Sequence, residues 1–367
     1  MIKILIVAGT RPEIIKISPI ILKAKSDFNN SIEIKLCLTG QHKSMAQEAL
    51  LIFEIGADFD LEIMKPNQSL NDIAKSVFEK LPKILNEYNP DVVLVQGDTT
   101  TAAVSAMCAF NLKIPVGHIE AGLRSFNLES PFPEEANRKI INTFSTFNFA
   151  PTLSAKNNLL SESVHKNNIY TVGNTIVDAF KIISKNNSLD DLANTNSLIR
   201  KPFILITAHR RESFGDGFKN ICEAIKKSAE DFPEYQFIYP VHLNPNVKEP
   251  VNKTLGNLQN VLLMEPVSYL NLLTLLKNCE FVLTDSGGIQ EEAPSFEKFC
   301  IVMRDVTERI ESIQNGYAIL VGTNQEKIYD AVSNQINYKS KISIDKNPYG
   351  DGNASERILT IIENHFN

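Results

Sequence analysis

Residues 118–138 read HIEAGLRSFNLESPFPEEANR. The residues leading into them, Ile114 to Ile119, form a short apolar run of strand character that ends on an acid, Glu120, followed by the small pair Ala121-Gly122. Glu120 therefore stands where a strand gives way to a loop. Beyond the loop, Pro131 and Pro133 flank Phe132, and Glu134, Glu135 and Arg138 open a helix with acids in its first turn, where the helix dipole favours them. Acids and a base are thereby delivered to one edge of a sheet, the grouping that proton transfer to and from carbon needs. The stretch reads as part of an enzyme.

Upstream, the same alternation is already running. Ile2 to Val7 is apolar apart from Lys3, as in a strand buried on both faces of a parallel sheet, and Gly9-Thr10-Arg11-Pro12 breaks it before a helix that extends to Ala24. Arg11 and Lys16 lie at that edge, where ligands bind in such folds. The turn holds one glycine, so the G-x-G-x-x-G fingerprint is missing and no bound NAD is expected. Ile32 to Leu38 is the next strand, leading to Gly40-Gln41-His42 and a helix from Met45 to Phe53. A helical pattern from Leu70 to Tyr88 contains Pro82, which should kink or divide it. The strand Asp91 to Gln96 exits at Gly97-Asp98-Thr99, and the helix Ala102 to Phe110 crosses over to the Glu120 strand. If those two strands are parallel, Asp98 and Glu120 share an edge.

Downstream, short strands at Asn148 to Ala150 and Ile169 to Val172 alternate with helices, and a polar stretch from Lys185 to Lys201 reads as the linker. The pattern then restarts, with strands at Phe203 to Thr207, Gln236 to Pro240, Val261 to Met264, Phe281 to Thr284, Cys300 to Met303 and Ile319 to Val321. Two Rossmann-like, doubly wound α/β domains, residues 1–185 and 186–367, facing across a cleft are the expectation, with the last helix, Ser355 to Phe366, packing back on the first. A chain of 367 residues fits two such cores.

Composition narrows the function classes. The net charge of −6 is spread without a basic block, which argues against nucleic acid. Five scattered cysteines, never spaced C-x-x-C, suit a reducing cytoplasm, and the first apolar run is too short to span a membrane. The histidines have no partner at metal-ligand spacing, so no metal is expected.

Thr284-Asp285-Ser286-Gly287-Gly288 joins a strand to a helix; its glycines let backbone approach a ligand, and Ser286 can bond phosphate, so a diphosphate fits. Glu292, further along that helix, suits the hydroxyls of a ribose. The exit loop Arg304-Asp305-Val306-Thr307-Glu308-Arg309 adds arginine forks for phosphate. His209 and Arg210 sit at another strand exit, as an acid or diphosphate ligand would. Asp98, Glu120 and Glu134 form the more specific signal, either as acids whose mutual repulsion tunes proton transfer or as an ion-pair network with Arg11, Lys16, Arg124 and Arg138.

Taken together, GTRPEIIK, GQH, VQGDTTT, HIEAGLRS, PFPEEANR, GNTIVDA, TAHRRE, PVHLNPNV, TDSGGIQEEAPS and RDVTER resemble, in order, the bacterial non-hydrolysing UDP-N-acetylglucosamine 2-epimerases. The resemblance implies the two-domain GT-B fold, a homodimer, a UDP-sugar substrate and interconversion of UDP-GlcNAc and UDP-ManNAc for cell-surface polysaccharide. It assigns Lys16, Asp98, Glu120, Glu134, Arg138 and His209 to the reacting centre, and Arg11, Ser286, Gly287, Gly288, Glu292 and Arg309 to UDP. Gln41, Arg210 and His242 resemble parts of a second, activating UDP-GlcNAc site. The hydrolysing relative, a GT-B glycosyltransferase and a non-catalytic UDP-sugar sensor are the competing readings.

Overall fold

The structure is a computed structural model that describes residues 1–40, 43–65, 68–187, 189–190, 195–339 and 347–367, the side chains of 43–45 aside. The chain divides into two compact units, Met1–Lys185 with Tyr349–Asn367, and Asn186–Pro348.

The first unit runs β1 (Ile2–Ala8), α1 (Arg11–Asp27), β2 (Ile32–Leu38), α2 (Lys43–Ile52), β3 (Phe59–Asp60), α3 (Leu70–Tyr88), β4 (Val92–Gln96), α4 (Thr100–Asn111), β5 (Val116–Ile119), α5 (Glu134–Phe144), β6 (Phe147–Ala150), α6 (Leu153–Ser161), β7 (Ile169–Thr171) and α7 (Thr175–Asn186). Its sheet is parallel throughout, in the order β3-β2-β1-β4-β5-β6-β7. The order reverses between β1 and β4, which opens a crevice at the carboxyl ends of those strands. The exits of β1, β4 and β5 carry Arg11, Asp98 and Glu120 to that edge. Burial on both faces explains the unbroken apolar strands: Ile4 to Ala8 and Val92 to Val95 are wholly buried.

In the first unit, the division allowed for at Pro82 does not occur, and one strand was not anticipated. Helix α3 passes through Pro82 without dividing, because Ile73, Val77, Leu81, Leu85 and Tyr88 form a buried stripe that holds it on the sheet against a proline cost of about 3 kcal/mol. Strand β3 was not anticipated, since two residues show no period; it adds through Cys37 and Leu38.

The second unit runs β8 (Phe203–Thr207), α8 (Asp216–Asp231), β9 (Gln236–Pro240), α9 (Pro245–Leu255), β10 (Val261–Met264), α10 (Tyr269–Asn278), β11 (Val282–Thr284), α11 (Gly287–Glu292), β12 (Cys300–Val302), α12 (Ile310–Gln314), β13 (Ala318–Leu320) and α13 (Gln325–Tyr338). It is again parallel, ordered β10-β9-β8-β11-β12-β13, with the reversal between β8 and β11. From the stretch read as a linker, Leu189 and Asp190 lie on α10: Asn278 Nδ2 donates to the Leu189 carbonyl at 3.0 Å, and Lys277 pairs with Asp190 at 2.7 Å.

The last helix, α14 (Ala354–Phe366), belongs to the first unit, so the second unit ends at Pro348 and is shorter than the 186–367 span read from sequence. The buried carboxylate of Asp178 caps α14 by accepting the N–H groups of Ala354 and Ser355 at 3.2 and 2.8 Å. Burial raises the Asp178 pKa above the usual carboxylate value even so. Lys23 reaches Glu356 at 3.0 Å from α1. Among the described residues, no helix is long and apolar enough to cross a membrane.

Candidate active site

In the first unit, Lys16 of α1 and Glu120 at the exit of β5 form a direct ion pair, and both are buried. Parallel strands β1, β4 and β5 lie side by side, which is how residues 104 positions apart meet. Asn174 Nδ2 donates to the same Glu120 oxygen at 3.4 Å. Glu120 has a left-handed backbone, φ +69°, a conformation non-glycine residues seldom adopt and one that clusters at functional sites.

Asp98, at the exit of the neighbouring strand β4, is held separately. Arg138 Nη1 donates to its carboxylate at 2.8 Å, and Asn137 Nδ2 takes its main-chain carbonyl at 2.8 Å. Its side chain is a quarter exposed, whereas that of Arg138 is 1% exposed. Each of these two acids thus has its own cation. Glu134 is half-buried at the first position of α5. Arg124 lies elsewhere: buried, it binds Glu162 through two nitrogens at 2.9 and 2.6 Å, so it drops out of the expected ion-pair network around the acids.

Beneath these groups are two acids outside the residues assigned to the reacting centre or to UDP. Glu135, wholly buried, accepts the Nε–H of Arg138 at 3.0 Å and the N–H groups of Ser125 and Phe126 at 3.0 and 3.1 Å, tying the loop after β5 to the arginine that holds Asp98. Glu13 accepts the N–H groups of Gly9 and Thr10 and the Thr99 hydroxyl at 2.8 Å, linking the exits of β1 and β4. Burial raises its pKa. The Thr10 and Glu13 pair had a readable signal, the capping-box spacing.

His118 is buried, and both its ring nitrogens are bonded within the fold. Burial pushes its pKa down to about 4, so the ring is neutral near pH 7. Nε2 lies 2.7 Å from the Gly97 carbonyl, which can only accept, so Nε2 carries the proton. Nδ1 lies 3.0 Å from Asn142 Oδ1; a neutral ring needs that amide turned over, with its NH2 facing Nδ1. The carbonyl next to Asp98 is thereby fixed from below.

In the second unit, the exits of β8 and β11 are adjacent because those strands pair. His209 and Arg210 follow β8, and Asp285, Ser286, Gly287 and Gly288 follow β11. Arg309 packs on Gly287 so closely that a Cβ there would meet its Cζ at 3.0 Å, which is the physical reason for glycine. Its guanidinium bonds Glu291 at 2.9 Å, and Glu308 lies at 3.3 Å. Glu292 accepts the Tyr269 hydroxyl at 2.8 Å. Arg304 is buried against Glu212 and Glu308, at 2.6 and 3.2 Å. The ring of His242 stacks on that of His209, with centroids 5.4 Å apart.

The predicted residues therefore gather on two strand-exit edges. Arg11, Lys16, Asp98, Glu120, Glu134 and Arg138 lie in the first unit; His209, Arg210, His242, Ser286, Gly287, Gly288, Glu292 and Arg309 lie in the second. Gln41 falls outside the described residues. Among the described residues, no cluster of three or more histidine, cysteine or acidic side chains is arranged to hold a metal ion.

The sequence model of the UDP-N-acetylglucosamine 2-epimerase family matches residues 24–363. The chain belongs to that family. It is 45% identical to the UDP-N-acetylglucosamine 2-epimerase of Yersinia pestis and 46% identical to that of Escherichia coli K12, each over 99% of both chains. The crystal structure of the Neisseria meningitidis UDP-GlcNAc 2-epimerase bound to UDP-GlcNAc superposes with a TM-score of 0.92 at 44% identity, covering 98% of this chain and 99% of that one.

Proposed function

We propose that the protein is an isomerase that interconverts UDP-GlcNAc and UDP-ManNAc without hydrolysis, by anti elimination of UDP and its re-addition. The observation that carries this reading is the pair of carboxylates Asp98 and Glu120, on neighbouring parallel strands, each oriented by its own cation, in a chain of this family.

The chemistry follows from the substrate. The C2 proton of the sugar is beside no carbonyl and is not acidic, so it leaves either after a neighbouring carbon is oxidised or as the C1–O bond breaks, and the second course is the one proposed. One carboxylate takes the C2 proton; the C–H electron pair becomes the C1–C2 double bond, and the C1–O pair departs with UDP. The intermediate is 2-acetamidoglucal with UDP. A proton delivered to C2 from the opposite face, with a UDP oxygen returning to C1, gives the manno epimer. Two proton-transfer groups are required, and Asp98, Glu120 and Glu134 supply them, with Lys16 and Arg138 orienting the first two. Arg11, Ser286, Gly287, Gly288, Glu292 and Arg309 bind UDP, and His209 stabilises the departing diphosphate. Gln41, Arg210 and His242 serve a second, activating UDP-GlcNAc. The protein works as a cytoplasmic homodimer supplying ManNAc-type sugar for surface polysaccharide.

Incubation with UDP-GlcNAc, with the products separated by anion exchange, tests this reading. UDP-ManNAc, with traces of UDP and 2-acetamidoglucal, is expected. Free ManNAc and UDP would assign the chain to hydrolysis instead, and no turnover without an acceptor would favour glycosyl transfer.

A further inference from the structure

His209 is read above as the group that meets the departing diphosphate, and how its ring is held decides which nitrogen does so. The inference rests on that reading of His209. Asp285 follows β11 immediately and is wholly buried. Its Oδ2 accepts the backbone N–H groups of both His209 and Arg210, each at 2.7 Å. Its Oδ1 lies 3.7 Å from His209 Nδ1 and has no hydrogen-bond partner among the described residues. A buried carboxylate oxygen without a donor is costly, and a small rotation of the imidazole would supply one.

The main chain around His209 is braced independently. The buried Tyr239 hydroxyl donates to the Ala208 carbonyl at 2.6 Å, and the Asp285 N–H bonds the Thr207 carbonyl at 3.0 Å. His242 covers one face of the His209 ring at 12° from parallel, and its own Nδ1 accepts the Asn244 N–H at 3.1 Å. The backbone clamp uses one oxygen of Asp285; the second, 3.7 Å from the ring nitrogen, is more than a structural clamp needs.

We propose that Asp285 is a positioning residue for His209: its carboxylate holds the imidazole through the Nδ1 proton and turns Nε2 toward the diphosphate, to which the ring donates from Nε2 when it carries its second proton. A carboxylate accepts and cannot donate, so the ring nitrogen beside it is the protonated one. Asp285→Asn reverses that logic: the amide oxygen still receives the two backbone N–H groups, the amide NH2 now faces Nδ1, the proton of the neutral ring moves to Nε2, and the doubly protonated ring that meets the diphosphate loses the carboxylate that supports it.

The decisive experiment is long-range proton–nitrogen NMR of the full-length protein labelled with 15N-histidine near pH 8, with the His209 signals assigned by their loss in His209→Gln. The expected result is an Nδ1–H tautomer in the unchanged protein and an Nε2–H tautomer in Asp285→Asn. An Nε2–H tautomer in the unchanged protein, or the same tautomer in both, overturns the proposal. Because this readout needs no turnover, it decides the Asp285 role even if the epimerase reading fails. In kinetics, Asp285→Asn should lower kcat for UDP-GlcNAc by about 10²–10⁴-fold with little change in KM, and the double variant with His209→Gln should be no slower than His209→Gln alone. A further multiplicative loss in the double variant would show that Asp285 acts elsewhere.

Discussion

The buried His118 makes a stability prediction whose size can be worked out. Its pKa falls from the ordinary 6.5 to about 4 because burial opposes charge more than its two hydrogen bonds favour it. The unfolded chain therefore takes up a proton between those values while the folded chain does not, so stability rises with pH across that window. The contribution is fully present above about pH 6.5 and is lost as pH falls toward 4, at about 1.4 kcal/mol per pH unit and about 3 kcal/mol in all. His118→Gln removes the titrating ring while an amide still reaches the Gly97 carbonyl. The chain has no tryptophan, so urea unfolding is followed by far-ultraviolet circular dichroism from pH 4 to 8. The stability difference between the two proteins should be constant above pH 6.5 and shrink as pH falls below it. Parallel curves throughout would refute the account of a neutral, buried His118.

Further predictions concern the scaffold and the acids. Glu135→Ala leaves the buried Arg138 and two loop N–H groups without their acceptor and should destabilise by about 3–5 kcal/mol in the same urea assay, Glu135→Gln by less. Gly122→Ala would place a Cβ 2.2 Å from the Ala155 carbonyl oxygen at φ +91° and should prevent stable folding, read as loss of a cooperative melt; Gly97→Ala has open space at φ +72° and should cost only about 1–2 kcal/mol. Asp98→Asn and Glu120→Gln should each lower kcat by about 10²–10⁴-fold, and Glu120→Gln should also lower the thermal midpoint because it leaves the buried Lys16 without its carboxylate; near-normal turnover would remove that residue from the mechanism.

The architecture was legible because buried parallel strands must be apolar and must end on polar loops; Glu120 and Asp98 stood out as the acids that close such runs. Lys16 was placed at the right edge by the helix after β1, yet its pairing with Glu120 depends on β5 lying one strand beyond β4, which only tertiary structure provides. Glu134 and Glu135 show what a sequence cannot resolve. Arg138 lies four and three residues beyond them, and both spacings allow a helical pair; the fold buries Glu135 under Arg138 and leaves Glu134 half-buried. Asp285 was hidden inside a glycine-rich motif, where a capping or phosphate role for its neighbours was the simpler reading. The docking of α14 turns on Asp178, an acid in a helix's first turn with nothing in sequence to mark its distant partner.

The measurement that tests the central claim most directly is proton NMR of the purified protein with UDP-GlcNAc in deuterated water. Cofactor-free elimination and re-addition predicts UDP-ManNAc carrying deuterium at C2, with deuterium also entering the UDP-GlcNAc pool. Epimerisation that retained hydrogen at C2 would contradict proton abstraction by these carboxylates.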